Sequence, residues 1–210
     1  MTSEVALDYA AEFHRDWISR ENTPFEFPAV DLNAVLRDHY QLSEPFVLTK
    51  NMVWDMQVRK ADDAETYLPD MVRPGTVQRW ETGESDFVQV AEHRLWLEPE
   101  RYGLVIQRVH LDHERRAVLL LGTGHIATPE GNYLWAGTEQ PLFHIEQVVE
   151  GAETRPVLRR RIVHLTDEPD ARIAAAFARM GREVWLRQMF EVYIRRDLGI
   201  GLTRRELSAA

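Results

Sequence analysis

The feature that most constrains this chain is a long series of short apolar runs separated by turns, from about Pro45 to Leu165. Apolar and polar residues alternate within the runs, and turn residues such as Pro74 and Gly75 stand between them. This spacing predicts antiparallel strands joined by hairpins. We therefore expect an antiparallel meander over residues 45–165, forming a curved sheet or partly open barrel of about seven or eight strands.

Two short helices are predicted in the N-terminal segment, residues 1–40. The first spans residues 3–20, where apolar side chains recur every four positions, and Thr2 or Ser3 can cap it. Asp31 can cap the second.

One long helix is predicted after the meander, within residues 167–198. It begins at Pro169 and ends at Leu198, because Pro in a first turn and Gly after the last residue are typical helix boundaries. Its apolar surface is wider than one stripe, which indicates a helix buried along most of its length. The element order predicts a single α+β domain over residues 1–210, in which this helix closes an apolar cavity.

Composition disfavours several classes of function. The net charge of -9 argues against a nucleic-acid or anionic-membrane partner. No apolar run approaches the roughly 18 residues of a membrane span, and Met1–Glu4 lacks a signal-peptide pattern. The chain has no cysteine, hence no disulfide and no thiolate nucleophile. A cytoplasmic protein is expected.

Basic residues are almost all arginine: of 25 Lys and Arg residues only Lys50 and Lys60 are lysines. We attribute this imbalance to codon bias. The run Arg159–Arg161 resembles a nucleic-acid patch, but it falls in a predicted strand whose side chains point alternately to the two faces. We interpret its charges as solvated.

Estimated hairpin registers divide the strand residues between two faces of the sheet. A turn at Glu98–Arg101 would pair Leu97 with Tyr102, and the following strands would pair Tyr102 with His125, His125 with Trp135, and Trp135 with Ile145. The face obtained in this way is mainly apolar with a few polar groups, which is typical of a small-molecule site. The residues predicted to bind a ligand there are Gln89, His93, Thr123, Tyr133, Trp135 and Phe143.

His125 is the predicted catalytic residue, with Tyr102 beside it. An imidazole can act as a general acid or base near neutral pH. Tyr102 would orient the ring, and Trp135 would form a wall against which a flat substrate packs. The alternative is a core histidine bonded to Tyr102 or to the backbone. No serine stands in a nucleophile-elbow context, which disfavours acyl transfer.

His144 and Glu146 are the fallback candidates for a metal site, since residues two apart on a strand point the same way. We interpret them instead as surface residues. If Val149 pairs with Val157, Glu146 faces Arg160 and forms an exposed ion pair worth less than about 1 kcal/mol. No metal and no cofactor are therefore predicted.

The order of elements resembles the helix-grip architecture of START/Bet v1-like proteins, which include aromatic polyketide cyclases and plant ligand carriers. The resemblance covers about three quarters of the chain, and no family motif accompanies it. In those proteins the short helices follow the first strand, whereas both precede it in our interpretation. A lipocalin-like closed barrel with flanking helices is the alternative.

Two functions fit these observations. An enzyme is favoured: the protein would bind a small hydrophobic compound, including aromatic or polyketide-like ones, and perform cofactor-free cyclisation, dehydration, isomerisation or hydrolysis. The alternative is a non-catalytic carrier or a subunit of a larger assembly. A homodimer is also expected, because Tyr9, Phe13, Trp17 and the wide apolar surface of the last helix exceed what one sheet face needs.

Overall fold

The computed structural model describes residues 7–182 and 187–205. Over these residues the chain is an α+β fold built on one large antiparallel sheet. Its strands are β1 (Thr23–Glu26), β2 (Val30–Asp31), β3 (Tyr40–Leu42), β4 (Gln78–Glu81), β5 (Asp86–Arg94), β6 (Tyr102–Asp112), β7 (Ala117–Gly122), β8 (His125–Ala127), β9 (Tyr133–Trp135), β10 (Phe143–Ala152), β11 (Arg155–His164) and β12 (Leu202–Arg204).

Six α-helices surround the strands in the described part of the chain. They are α1 (Tyr9–Ile18), α2 (Leu32–His39), α3 (Lys50–Asp62), α4 (Ala64–Tyr67), α5 (Ala171–Arg182) and α6 (Arg187–Val192), the last continued by a π-helical turn (Tyr193–Asp197). Side-chain caps begin four of them: Asp8, Asp31, Thr49 and Asp63 each accept a hydrogen bond from the first turn.

The main sheet is open. Its strand order is β1-β11-β10-β7-β6-β5-β4, and β2 adds an eighth strand by pairing with β11. No pairing among the described residues joins β1 to β4, so the closed-barrel alternative is wrong. The prediction of a curved antiparallel sheet of about seven or eight strands is confirmed.

Both faces of the sheet are covered. On the cavity face, which we define as the side that contacts α3, α5 and α6, Phe87, Val109 and Val118 pack with α3, and Ile145 and Ile162 pack with α5. On the opposite side, the α1 face, Leu119 and Leu121 pack against α1, and the β8–β9 hairpin covers Val88, Val90 and Ile106. Because side chains alternate along a strand, each long strand supplies two cores.

The segment predicted as the start of the meander, residues 45–77, is largely helical instead. It contains α3 and α4, and the meander begins at β4. The buried residues of α3 have helical spacing, but two of them are polar. An apolar stripe interrupted in this way does not stand out in the sequence.

The predicted registers are partly wrong. Arg94 pairs with Tyr102, whereas Leu97 was expected opposite Tyr102. The strand ends at Arg94, and Leu95 N–H donates to Arg101 O across a loop longer than the predicted turn. This shift of three residues exchanges the two faces of β6 and β7 relative to β5.

Further along the chain, His125 pairs with Trp135 as predicted. However, β8 and β9 form a separate two-stranded sheet, and β7 pairs directly with β10. The predicted pairs of Tyr102 with His125 and of Trp135 with Ile145 are therefore wrong.

The terminal helices differ from the predictions in extent. The first helix begins at Tyr9 and is capped by Asp8, while the predicted caps Thr2 and Ser3 lie outside the described residues. The long C-terminal helix is described as α5, α6 and the π-helical turn, and residues 183–186 between α5 and α6 lie outside the description. Gly199, with a φ of 69°, follows this helical segment as predicted.

Candidate functional site

A cavity of about 70 Å³ lies between the cavity face of the sheet and helices α3, α5 and α6. Because one water needs roughly 10–15 Å³ in this measure, the space suits a compact ligand. Most of its walls are apolar. The lining residues are Phe27, Lys60, Ala61, Ala64, Leu68, Met71, Gln89, His93, Arg94, Trp96, Gln107, Val118, Leu120, Phe143, Ile145, Gln147, Arg160, Ile162, Phe177, Met180 and Met189.

Lys60 is the central polar group of the cavity. It lies in the last turns of α3 with only 5% of its surface exposed. Its Nζ donates to Gln57 Oε1 at 2.6 Å, one turn earlier on α3, and to Gln147 Oε1 on β10. Within residues 7–182 and 187–205 Lys60 has no carboxylate partner.

Strand pairing brings the other polar groups together. Gln89 on β5 lies opposite Gln107 on β6, and Gln147 on β10 lies opposite Arg160 on β11. Gln89 Nε2 donates to Ala61 O at 3.3 Å, which links β5 to α3. The cavity thus presents amides and cations on an otherwise apolar surface.

Burial shifts the acid–base properties of these groups. It lowers the pKa of Lys60 well below its ordinary value, and the positive charge of Arg160 lowers it further. Burial also lowers the pKa of Arg160 to about 9 and that of His93 to about 4. Since burial disfavours every charged form, His93 is neutral at pH 7 whereas Arg160 keeps its charge.

Aromatic rings form one wall of the cavity. Trp96 contacts Phe143 and Phe177, with ring centroids 4.7 and 4.9 Å away. On another side Trp96 stacks on His164, with centroids 4.9 Å apart and an interplanar angle of 22°. Burial lowers the pKa of His164 to about 4, so this ring is uncharged at neutral pH. Such a wall suits a flat apolar group.

Three of the predicted ligand-binding residues line the cavity: Gln89, His93 and Phe143. Gln89 and His93 lie on β5, where residues of odd number point towards α3. Phe143 begins β10 and belongs to the core that includes α5.

The other predicted site residues lie outside the cavity. His125 is exposed and stacks on Trp135 in the β8–β9 hairpin, with ring centroids 4.9 Å apart. Trp135 and Tyr133 are 67% and 63% exposed. Thr123 Oγ1 donates to the backbone O of His125 at 3.1 Å.

Tyr102 lies apart from the cavity as well, at the start of β6. The guanidinium groups of Arg73 and Arg94 lie 5.7 and 5.4 Å from its ring centroid. A catalytic role of His125 stays a prediction, and the predicted orientation of its ring by Tyr102 depended on a register that does not occur.

His144 and Glu146 are buried under α1 rather than exposed. His144 Nδ1 accepts from Gly122 N–H at 3.0 Å, so its Nε2 carries the proton and donates to Asp16 at 3.0 Å. Burial lowers the pKa of His144, against the opposing influence of Asp16. Because both ring nitrogens are hydrogen-bonded, to Gly122 and to Asp16, His144 links α1 to the sheet.

Glu146 pairs with Arg161, and the predicted pairing with Arg160 is wrong. Arg161 lies opposite it on β11, and its Nε donates to Glu146 Oε2 at 2.8 Å. The expected surface pair is buried, since Glu146 is only 4% exposed. The guanidinium of Arg161 also lies 4.8 Å from the ring centroid of Trp17 on α1.

Sequence reasoning missed Lys60, Gln107, Gln147 and Arg160, which supply much of the cavity's polar character. For Lys60 a signal was present, because it is one of two lysines in a chain that otherwise uses arginine. Arg160 was interpreted as a solvated charge, but it faces the cavity. Within the parts of the chain that are described, no three metal-ligating side chains come together, and no helix has the length and apolar character needed to cross a bilayer.

Comparisons with known proteins identify the fold. No protein-family model matches the chain, and no curated protein is significantly similar to it in sequence. Among solved structures, the Zhui aromatase/cyclase from Streptomyces sp. R1128 superimposes with a TM-score of 0.52 at 12% identity, over 84% of this chain and 96% of that one. Ara h 8.0201 gives a TM-score of 0.52 at 10% identity, over 83% and 99%. The chain has the helix-grip fold.

The expected departure from the helix-grip order is correct for the first helix and wrong for the second. The sequence analysis placed both short helices before the first strand. In the structure α1 precedes β1, but β1 precedes α2 and α3 and pairs with β11 at the edge of the sheet. Short helices therefore follow the first strand, as in the architecture that the element order resembled. At these identities the likeness concerns the fold and not the activity.

Proposed function

We propose that the protein binds a compact, mostly apolar carbonyl compound, including aromatic or polyketide-like ones, and catalyses cofactor-free acid/base chemistry on it. The observation that carries the proposal is a buried amine, Lys60, held by two neutral amides at the wall of an apolar cavity. The reactions of this class are cyclisation, dehydration, isomerisation and hydrolysis. The fold that the chain shares with an aromatase/cyclase supports a ligand-binding cavity of this kind.

In this proposal Lys60 removes the proton on the carbon next to the carbonyl group. Burial lowers the pKa of Lys60, so the amine has a free lone pair at a pH where an exposed lysine is an ammonium ion. After taking the proton, the ammonium gains a third N–H, which can donate to the ligand.

The oxygen of the ligand would be held by Gln107 and Arg160. Gln107 lines the cavity, and its buried Nε2 has no hydrogen-bond partner among the described residues. Leaving such a donor unsatisfied costs about 1–3 kcal/mol, which a ligand oxygen would recover. The charge of Arg160 would stabilise the negative charge that develops on that oxygen as the proton leaves.

Deuterium exchange of a probe ketone tests the proposal. Phenylacetone is incubated with the protein in D₂O at pH 7, and loss of the protons next to its carbonyl is followed by NMR. We expect exchange that falls by about 10²-fold in Lys60→Met and is unchanged in Lys50→Met, the matched control on the first turn of α3. Circular dichroism of each variant establishes that it is folded.

A non-catalytic carrier would give a different result in the same incubation with phenylacetone. Saturation-transfer NMR would then show phenylacetone bound, while its exchange rate would equal that of Lys60→Met. If phenylacetone neither binds nor exchanges its protons, the proposal is wrong.

A further inference from the structure

We propose that Lys60 acts on the carbonyl ligand as a nucleophile and captures it as a covalent imine. This inference rests on the proposed function, because it requires a carbonyl compound in the cavity. It goes beyond that function by assigning a covalent intermediate to a named atom, Lys60 Nζ.

The hydrogen bonds of Lys60 match a neutral amine. An ammonium has three N–H donors, whereas a neutral amine has two and a lone pair. Among the described residues Lys60 Nζ has two acceptors, Gln57 Oε1 and Gln147 Oε1. Both donors of the neutral amine are therefore satisfied, and the lone pair that nucleophilic attack needs is the remaining group.

The surroundings favour loss of water from the adduct. Lys60 lies among Ala61, Ala64 and the apolar walls of the cavity, beside Arg160 rather than beside an acid. A dry site disfavours the return of water once the imine has formed. The neighbouring cation also opposes protonation of the amine.

The step balances without any other reagent. The lone pair of Nζ attacks the carbonyl carbon, the C=O π electrons move to oxygen, and a proton passes from nitrogen to that oxygen to give a carbinolamine. The C–O bond then breaks, nitrogen loses its second proton, and oxygen leaves as water. One amine and one carbonyl compound become one imine and one water, with nothing oxidised or reduced.

The two glutamines suit both stages of this reaction. An imine nitrogen has a lone pair and no hydrogen, so it needs a donor where the amine needed an acceptor. A half-turn of the Gln57 side-chain amide exchanges its oxygen for its NH₂ group at nearly the same position. Among the described residues the Nε2 of Gln57 donates to Met189 Sδ at 3.5 Å, a weak bond that is lost at little cost when the amide turns.

Reductive trapping tests the inference on the unmodified protein. Benzaldehyde and sodium cyanoborohydride are added at pH 7, and peptide mapping compares Lys60 with Lys50, the only other lysine in the chain. We expect benzylation of Lys60 in preference to Lys50.

The variants give a second, independent measurement. Lys60→Met should lose the internal modification, and Lys50→Met should keep it. Modification confined to Lys50 and the N-terminal amine at pH 7 would overturn the inference, and this comparison within the wild-type chain does not depend on whether a variant folds.

Oxygen exchange separates the imine from simple proton transfer. Phenylacetone labelled with ¹⁸O in its carbonyl group loses the label when an imine forms and is hydrolysed, but keeps it during removal of a neighbouring proton. We expect loss of ¹⁸O at a rate at least tenfold lower in Lys60→Met. Proton exchange that depends on Lys60, with ¹⁸O loss that does not, would reject the imine and leave the proposed function standing. If proton exchange and ¹⁸O loss are both absent and phenylacetone does not bind, the imine and the proposed function are both rejected.

Discussion

The two faces of the main sheet bury polar side chains in opposite ways. On the α1 face, Glu146 accepts a hydrogen bond from the guanidinium of Arg161, and His144 donates one to the carboxylate of Asp16. Each of these two buried groups therefore has a charged partner. On the cavity face, Lys60 meets only neutral amides among the described residues. A paired buried charge holds two elements together, whereas a buried amine among amides stays neutral and keeps its lone pair. The buried polar groups of the α1 face therefore stabilise the fold, and those of the cavity face are the ones proposed to carry the chemistry.

The largest effect is expected from breaking a pair on the α1 face. Glu146→Gln removes the buried carboxylate that is the counter-charge of the half-buried Arg161, which should lower the free energy of unfolding by about 3 kcal/mol. The matched control on the same strand is Glu150→Gln. Glu150 pairs with Arg159 at 2.8 Å, but both side chains are partly exposed, so its loss should cost less than about 1 kcal/mol. Urea denaturation at pH 7 measures both, and equal losses would contradict the distinction.

The buried amine of the cavity face should make the free energy of unfolding depend on pH. The folded state lowers the pKa of Lys60, so between this lowered value and the unfolded value of about 10.4 the unfolded chain binds more protons than the folded one. Over that window the unfolding free energy of the wild type should rise with pH relative to Lys60→Met, by at most about 1.4 kcal/mol per pH unit. Urea denaturation at several pH values gives this difference.

Lys50→Met provides the control for that measurement. Lys50 does not line the cavity, so its replacement controls for the loss of one lysine. A pH-independent difference between the wild type and Lys60→Met would mean that Lys60 is an ammonium in the folded protein, and the contrast between the two faces would be lost.

The smallest effect is expected at His125, which lies on neither face. Because the residue is exposed in the β8–β9 hairpin, His125→Gln should change the free energy of unfolding by less than about 0.5 kcal/mol and leave phenylacetone exchange unchanged. His14→Gln, at another exposed histidine, is the control. A loss of exchange of about 10²-fold with the fold intact would restore the sequence-based assignment of His125.

One short turn and one helix cap were predicted correctly from the sequence. The pairing of His125 with Trp135 follows from a short turn in which Gly131 adopts a φ of 84° and Thr128 N–H donates to Asn132 O. Asp31 caps α2 as expected. Where the connection is a longer loop, as between β5 and β6, nothing in the residues fixes where pairing resumes, and an error of three residues exchanges the faces.

The central residue of the site was hidden for a related reason. The buried positions of α3 are Val53, Met56, Gln57, Lys60 and Ala61, a helical spacing of three and four. Since two of the five are polar, the stripe does not register as hydrophobic. Gln57 and Lys60, which contribute to the proposed site, are thus also the residues that interrupt the apolar stripe of α3 in the sequence.

Gly122 has a consequence for anyone who wishes to redesign the cavity. A Cβ at this position would collide with the backbone carbonyl of Phe143, and the N–H of Gly122 donates to His144. Any larger residue must push β7 away from β10, which displaces Phe143 from the cavity wall and loosens α1 on the other side at once. A mutational library that varies the apolar walls of the cavity must therefore keep position 122 as glycine, although this residue does not line the cavity.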